Sequence, residues 1–221
     1  MPDYEYNIPI KVVLDAYKKG LFPMAETYKS NEIYWVEPKN RGVFFFDKIK
    51  VPKKLKKFLK KKEFDIAVDK NFSCVIENCS KITENRKDTW INNTIKKLYI
   101  EMYEEGYAHS IECYVGEDLV GGLYGIEIGG IFFGESMFSF VSNASKVALL
   151  HLIERLIVGN FKLLDTQFIN NHLKQFGAVE LSNKDFKKIL DKNINREVNF
   201  FEFASKGILP NKLYPLNGNI L

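Results

Sequence analysis

The sequence is poor in the residues that build metal sites and disulfide frameworks. Among its 221 residues there are only three cysteines and three histidines. The cysteines are odd in number and match no zinc or redox spacing, at positions 74, 79 and 113. The histidines are equally scattered, at positions 109, 151 and 172. We therefore expect free thiols, ordinary structural histidines and no metal site.

Long apolar runs are also absent. The chain has no stretch of about 18 consecutive apolar residues, and MPDYEYNIPIKVV at its start has neither the basic residues nor the apolar run of a signal peptide. We therefore expect a cytoplasmic protein. Hydrophobic residues make up 46% of the chain and charged residues 27%, which is typical of a globular protein. The net charge of only +4 does not by itself predict a polyanionic partner.

Hydrophobic periodicity predicts where helices and strands lie. Asn92 or Asn93 should cap a helix that Gly106 ends, and Gly20 should end the first helix. In the first half of the chain, helical patterns cover 8–20, 51–63, 71–81 and 89–106, and strand-like runs cover 33–36, 42–46 and 64–69. From residue 108 onward the order is three strands, a helix, a strand, a helix, a strand and a helix.

This order predicts an α+β fold. Antiparallel strands that lead into a strand–helix–strand crossover form a mixed sheet with helices packed on it. The arrangement resembles the acetyltransferase-like (GCN5-related) fold, an analogy that leaves the chemistry open. A lysine-rich stretch near residue 50 marks a distinct, small N-terminal α/β part. We therefore expect an N-terminal domain at 1–85 and a catalytic acetyltransferase-like domain at 86–221.

Glu135 lies in an otherwise apolar and hydroxyl-bearing stretch, FFGESMFS at 132–139. Burying an unpaired carboxylate is costly, so either the chain turns outward here or the acid has a function. An acid at the end of a predicted strand suits a cleft. A helix cap or an ion pair explains the residue equally well, because acids are favourable near a helix N-terminus.

Polar residues also end the predicted strand FKLLDTQF at 161–168. Open sheets bind ligands at the carboxyl ends of their strands. Asp165 and Gln167 are two residues apart, which predicts that both point to one face of the sheet. An aspartate beside an amide could orient the amide and polarise its carbonyl oxygen. The alternative is a satisfied hydrogen-bond network at the end of a strand.

The predicted helix VPKKLKKFLKKKE at 51–63 combines an apolar face with a dense positive charge. Fixed cations on one helix face suit a phosphate backbone, because binding releases counterions. A solvated helix face is the alternative. The lysines concerned are Lys53, Lys54, Lys56, Lys57, Lys60, Lys61 and Lys62. The only tryptophans, Trp35 and Trp90, could stack on bases or simply pack in the core.

Taken together, these segments resemble the leucyl/phenylalanyl-tRNA–protein transferase family. The resemblance spans about residues 15–190 and includes AYKKGLFP, IYWVEPKNRGV, GYAHSIECY, FFGESMFS, NASKVALLHL and LLDTQFINNHLKQFGAVEL. GESMFS followed by NASK and DTQ, in that order and spacing, is highly specific to the family. The family's C-terminal domain has the acetyltransferase-like fold that the element order also resembles.

The resemblance implies an activity and its partners. The family transfers leucine or phenylalanine, and methionine less well, from aminoacyl-tRNA to proteins that begin with arginine or lysine. The transfer marks those proteins for degradation through the bacterial N-end rule pathway. The resemblance further implies that the enzyme needs no metal or nucleotide cofactor, has no membrane association and is a monomer.

The same resemblance assigns site residues. It implies that Asp165 orients Gln167, whose carbonyl oxygen accepts a hydrogen bond from the attacking amine. Glu135 would position the aminoacyl ester or the adenosine end, or help to neutralise the basic acceptor. Trp90 and Met24 would bind the terminal adenosine, and the lysine-rich helix would contact phosphates of the tRNA acceptor stem. The pocket for the transferred side chain is expected at Leu123, Phe132, Met137, Leu152 and Leu164.

Two departures from the family pattern bear on the site. The chain has FPM where the family usually has FPW, so Met24 replaces a tryptophan that would stack on adenine. A thioether still packs well on a ring. Thr166 stands where the family usually has a cysteine, which argues against a thiol mechanism.

Two other interpretations are open from the sequence. An acetyl-CoA-dependent acetyltransferase needs a glycine-rich pyrophosphate turn between a strand and the next helix, and the junction MFSFVSNASK contains no glycine. A non-catalytic RNA-binding module would account for the lysines and Trp90. It would leave Glu135, Asp165 and Gln167 without a role.

Overall fold

The computed structural model describes residues 8–84 and 87–202. The chain begins with a helix and a small hairpin. α1 (Ile10–Lys18) ends just before Gly20, whose φ of 82° stops the helix as predicted. β1 (Phe22–Met24) and β2 (Tyr34–Val36) then pair antiparallel. The sequence predicts β2 but not β1, because a three-residue strand that contains a proline carries no alternating pattern.

The main sheet is mixed and has the strand order β4-β5-β6-β7-β8-β3-β9. β7 and β8 run parallel, while the other neighbouring pairs run antiparallel. Helix α5 (Ala144–Val158) joins the parallel pair and confirms the predicted crossover. The strands are β3 (Asn40–Phe44), β4 (Asp65–Val68), β5 (Ala108–Val115), β6 (Asp118–Ile128), β7 (Ile131–Ser139), β8 (Leu163–Asp165) and β9 (Val179–Ser182).

Helices cover both faces of this sheet and bury one apolar core on each. The first core receives side chains from α1, α3 (Phe72–Ser80), α4 (Asn93–Glu104) and α7 (Asn183–Asn193). The second receives them from α2 (Lys53–Leu59), α5 and α6 (Asn171–Lys174). Alternate strand residues divide between the two cores, as Leu123 and Tyr124 do on β6. The α+β class is confirmed, and the likeness to acetyltransferases stays a prediction.

Helix capping follows the sequence closely at α4. Asn92 is the N-cap, and its side chain accepts a hydrogen bond from the Ile95 N–H at 2.8 Å. Gly106, at a φ of 79°, follows the end of the helix. At α5 the N-cap is Asn143, but Ser139 accepts the hydrogen bond from a first-turn N–H, that of Ser145. A residue on the preceding strand therefore caps this helix.

The lysine-rich helix is shorter than predicted. α2 ends at Leu59, and Lys60 to Lys62 lie in the turn that follows, with Lys62 at a φ of 52°. Lysines at i and i+4 repel one another, and lysines in the first turn oppose the helix dipole. Packing therefore holds the helix in place: Leu55 is buried in the second core, and Phe58 and Leu59 pack against it.

The predicted domain boundary near residue 85 stays a prediction. β3 and β4 precede residue 85, and they lie in the same sheet as the strands that follow it. Among the described helices, none is both long enough and apolar enough to span a bilayer.

Two glycines that face each other across β6 and β7 predict a contrast in stability. Gly125 pairs with Gly134. A methyl group on Gly125 would clash with the carbonyl oxygen of Phe133 and the ring of Phe132, whereas one on Gly134 would meet nothing nearer than 3.4 Å. We expect Gly125→Ala to lower the free energy of unfolding by about 1–3 kcal/mol and Gly134→Ala to change it by less than about 1 kcal/mol. Urea denaturation measures both, and equal stabilities would contradict this packing.

Candidate active site

A β-bulge explains how an acid comes to stand inside β7. Tyr124 pairs with Ser136 and Gly125 pairs with Gly134, so Glu135 has no partner on β6. Glu135 is therefore the extra residue of the bulge, a feature that bends a strand and redirects side chains. It does not cap a helix.

The carboxylate of Glu135 accepts three hydrogen bonds from side chains. Tyr17 donates to its Oε1 at 2.8 Å and Tyr99 donates to its Oε2 at 3.0 Å. The amino group of Gln167 also donates to Oε1, at 3.0 Å. Both tyrosines are fully buried, and burial together with the charge of Glu135 raises the pKa of each hydroxyl. The hydroxyls therefore stay protonated and act as donors.

Burial also disfavours the charged form of the acid itself. It raises the pKa of Glu135 to about 7, and the charge of Asp165 adds to the rise. The hydrogen bonds from Tyr17 and Tyr99 and the charge of Arg41 act to lower the pKa. Glu135 is therefore divided between its ionised and protonated forms near neutral pH.

Asp165 ends β8 and forms a fully buried ion pair with Arg41 on β3. Arg41 donates from Nε to both carboxylate oxygens at 2.9 Å and from its terminal nitrogen at 2.6 Å. Its remaining terminal nitrogen donates to the Gly20 carbonyl oxygen at 2.9 Å. The guanidinium lies between the rings of Phe22 and Phe186, 4.8 and 4.6 Å from their centroids. Each nitrogen and oxygen of the two charged groups thus forms a hydrogen bond, and the guanidinium also contacts two aromatic rings.

Gln167 lies past the end of β8, in a turn that β3 and Asp165 hold. Its φ of 53° is left-handed, which costs about 1–3 kcal/mol for a residue other than glycine. Its N–H donates to Asp165 Oδ1 and its carbonyl oxygen accepts from the Gly42 N–H, both at 2.9 Å. A side chain on Gly42 would approach Thr166 and Ile169 to 2.9 Å, so the turn needs glycine there. The alternation of side chains along a strand does not apply to Gln167, because β8 ends at Asp165.

The carboxamide of Gln167 is held by Glu135, whereas Asp165 contacts only the Gln167 backbone. The amino group of the amide faces Glu135, which is the orientation that an ionised carboxylate requires because it can only accept hydrogen bonds. The carbonyl oxygen of the amide then points elsewhere. Within the described part of the chain, no hydrogen bond is donated to that oxygen. Gln167 is 7% exposed, so this acceptor belongs to a nearly buried side chain.

A pocket of about 190 Å³ opens beside Glu135. Its wall is mostly apolar and includes a few polar groups, as is typical of ligand sites. Gln167 is not part of the wall itself, but its neighbours Thr166 and Phe168 and its partner Glu135 are. The lining residues are Leu123, Tyr124, Gly134, Glu135, Ser136, Met137, Leu149, Leu152, Leu164, Thr166, Phe168, Asn170, His172 and Leu173.

The pocket contains four of the five expected apolar residues: Leu123, Met137, Leu152 and Leu164. The fifth, Phe132, is fully buried, and its ring lies 5.6 Å from that of Phe200. Phe132 and Met137 are five residues apart yet pack on the same core, because the bulge shifts the alternation of β7. Phe132 therefore supports the sheet behind the pocket and does not line it.

The residues expected at the adenosine, Met24 and Trp90, lie close together. The backbone N–H of Ala25 donates to the carbonyl oxygen of Trp90 at 3.1 Å. Met24 and Trp90 are both partly buried and pack against the first core. Met24 and Trp90 therefore lie together where the hairpin of β1 and β2 meets the N-terminal end of α4.

Several residues of the site escape sequence reasoning. Tyr17, Tyr99 and Arg41 read as ordinary helix and strand residues, and only their approach in space to Glu135 or Asp165 reveals them. His172, predicted to be structural, lines the pocket. Burial and the charge of Lys146 lower its pKa, so the imidazole is neutral at physiological pH. All three cysteines are reduced thiols, as predicted. Among residues 8–84 and 87–202, no group of three or more His, Cys, Asp or Glu could hold a metal ion.

Comparison with known proteins agrees with this geometry. A family model described as "Leucyl/phenylalanyl-tRNA protein transferase" matches residues 43–191. The corresponding N-terminal domain model matches residues 7–39. The chain belongs to the leucyl/phenylalanyl-tRNA–protein transferase family. The predicted family is confirmed, and with it an enzyme of the tRNA-dependent aminoacyltransferase class, which decides against both an acetyl-CoA-dependent enzyme and a non-catalytic RNA-binding module.

Named members of the leucyl/phenylalanyl-tRNA–protein transferase family are similar over most of the chain. The transferase of Zymomonas mobilis is 49% identical over 179 residues, covering 81% of this chain and 67% of that protein. That of Caulobacter vibrioides is 44% identical over 193 residues, covering 87% and 89%. That of Rhizorhabdus wittichii is 47% identical over 180 residues, covering 81% and 73%.

The pKa of Glu135 predicts how the stability of this transferase depends on pH. The folded protein binds the Glu135 proton more tightly than the unfolded chain, whose carboxyl has a pKa near 4.5. The contribution of Glu135 to the free energy of unfolding should therefore fall as pH rises from about 4.5 to about 7 and stay constant above. Denaturation of the wild type and Glu135→Gln across this range isolates the effect. A difference that does not vary with pH would contradict the assignment.

Proposed function

We propose that this protein transfers leucine or phenylalanine, and methionine less well, from aminoacyl-tRNA to the α-amine of proteins that begin with arginine or lysine. The new N-terminal residue would mark those proteins for degradation by the N-end rule. The observation that carries the proposal is the Gln167 carboxamide, whose amino group donates to Glu135 and whose oxygen accepts no hydrogen bond from residues 8–84 and 87–202. We further propose that the enzyme acts in the cytoplasm as a monomer.

The reaction joins an amine to an aminoacyl ester. The neutral α-amine attacks the ester carbonyl carbon, a C–N bond forms, and the C–O bond to the ribose breaks. The Gln167 carbonyl oxygen accepts a hydrogen bond from the amine and directs its lone pair toward the ester. A carboxamide is too weak a base to keep a proton, so the proton passes to the departing ribose oxygen. Glu135 holds the carboxamide and positions the aminoacyl or adenosine end.

The pocket beside Glu135 supports a choice of transferred side chain. Leu123, Met137, Leu152 and Leu164 supply an apolar wall for a flexible or γ-branched group. A β-branched side chain is wide next to its Cα and would clash with such a wall. The charge of Glu135 favours an acceptor whose first residue is basic.

The basic surface of α2 supports contact with tRNA phosphates. All seven lysines between Lys53 and Lys62 are exposed. Lys61 pairs with Glu63 at 3.2 Å, and none of the other six has an acidic partner within the described part of the chain. Leu55 anchors the helix to the core that also borders the pocket. We therefore place the acceptor stem across this face, with contacts that do not depend on base sequence.

The direct test is transfer of phenylalanine from phenylalanyl-tRNA to a peptide that begins with arginine. The purified protein should form the new peptide bond, and a peptide identical except for a first glutamate should accept much less. Mass spectrometry detects the product. No transfer to the arginine peptide by folded protein would contradict the proposed function.

Gln167 should be needed for the rate. Gln167→Gly removes the carboxamide and tolerates a φ of 53°, so it should keep the fold. We expect single-turnover transfer to slow by about a hundredfold or more, as when an oriented hydrogen-bonding group is removed from an active site. Gln175→Gly, at an exposed glutamine eight residues along the chain, is the matched control and should transfer at the wild-type rate. Full activity of Gln167→Gly would show the mechanism to be wrong.

The lysines of α2 should set the salt dependence of tRNA binding. Lys56→Glu with Lys60→Glu should weaken binding and reduce the slope of log K against log salt by about one for each phosphate that is no longer neutralised. Lys184→Glu with Lys192→Glu, at exposed positions on α7, makes the same charge change away from α2 and should alter the slope little. Filter binding at several salt concentrations gives the slopes. Equal slopes for both variants would contradict the placement of tRNA on α2.

A further inference from the structure

The hairpin of β1 and β2 has one aromatic residue of β2 on each of its faces. Residues directly opposite each other in an antiparallel pair project to the same face. Met24 lies opposite Tyr34 and Phe22 lies opposite Val36, while Pro23 lies opposite Trp35. Met24, Tyr34, Phe22 and Val36 therefore share one face, and Trp35 stands on the other.

Contacts of Phe22 show which face borders the active site. The ring of Phe22 meets that of Phe168 edge to face, with 5.8 Å between centroids. Phe168 lines the pocket beside Glu135. The face that carries Met24 and Tyr34 thus runs outward from the pocket, and Trp35 lies on the face turned away from it.

The side chain of Tyr34 is accessible to a ligand, and a second aromatic residue lies nearby. Tyr34 is 48% exposed. Ala25, which follows Met24, hydrogen-bonds to the backbone of Trp90, so Trp90 flanks the same end of the hairpin. A nucleobase binds best between flat π surfaces. Trp90 provides one, but Met24 provides a flexible thioether with no flat face.

We propose that Tyr34 stacks on the purine base at the 3′ end of the bound aminoacyl-tRNA and, beside Met24, forms the wall opposite Trp90. The inference rests on the proposed function, since it assumes that the acceptor end of tRNA enters this pocket. The inference assigns to Tyr34 a part of the affinity for the base. It excludes Trp35 from that role, although Trp35 has the larger aromatic ring.

The test uses a phenylalanyl-adenosine analogue in which an amide replaces the 3′ ester, so that it cannot react. Tyr34→Leu keeps an apolar side chain but removes the ring, and its Kd for the analogue should rise about tenfold. Tyr34→Phe keeps the ring and should bind like the wild type. Trp35→Leu is the matched control on the other face and should also bind like the wild type. Isothermal titration calorimetry gives each Kd, and thermal melting checks that each variant is folded.

The outcomes separate this inference from the proposed function. If the wild type binds the analogue and Tyr34→Leu binds equally well, the role of Tyr34 is wrong while the function stands. If Trp35→Leu weakens binding and Tyr34→Leu does not, the assignment of faces is also wrong. If the wild type does not bind the analogue, the proposed function fails and the inference fails with it. Met24→Trp added to Tyr34→Leu should restore most of the affinity, because it returns a flat ring to the same face.

Discussion

The buried ion pair between Arg41 and Asp165 is the interaction on which the candidate active site depends. It joins β3 to the end of β8, and the third nitrogen of Arg41 reaches the carbonyl oxygen of Gly20, just after α1. The two rings that enclose the guanidinium come from β1 and α7. Leaving either partner unpaired in this interior would cost about 3–5 kcal/mol. One side chain therefore joins five elements around the strand end that carries the turn of Gln167.

The ion pair constrains the side chain of Gln167 through a short series of contacts. Asp165 uses an oxygen to hold the backbone of Gln167 in a left-handed conformation, and Gly42 lets the turn lie directly on β3. The side chain of Gln167 then meets Glu135, which a bulge in β7 directs toward two buried tyrosines. The amide thus has a defined orientation before any substrate arrives, which is the kind of preorganisation that lowers a reaction barrier.

Sequence reasoning succeeds where local pattern decides the structure and fails where distant residues do. The α4 and α5 helices and the order of β5 to β9 follow from periodicity and capping residues. The length of α2 does not, since packing of Leu55 and repulsion among its lysines compete. The bulge at Glu135 cannot be predicted without the pairing register of β6 and β7. The packing of Phe132 behind the pocket depends on its contact with Phe200, 68 residues further along the chain. The role of Arg41 could not be predicted, because its partner Asp165 is 124 residues away in the chain.

The most direct measurement is the transfer rate of Arg41→Met at saturating phenylalanyl-tRNA and peptide, at a temperature where the variant is folded. Methionine fills much of the space between the two rings but cannot hold Asp165. If the pair positions Gln167, kcat should fall by about a hundredfold while the KM for aminoacyl-tRNA changes little. A folded Arg41→Met enzyme with the wild-type kcat would contradict the account.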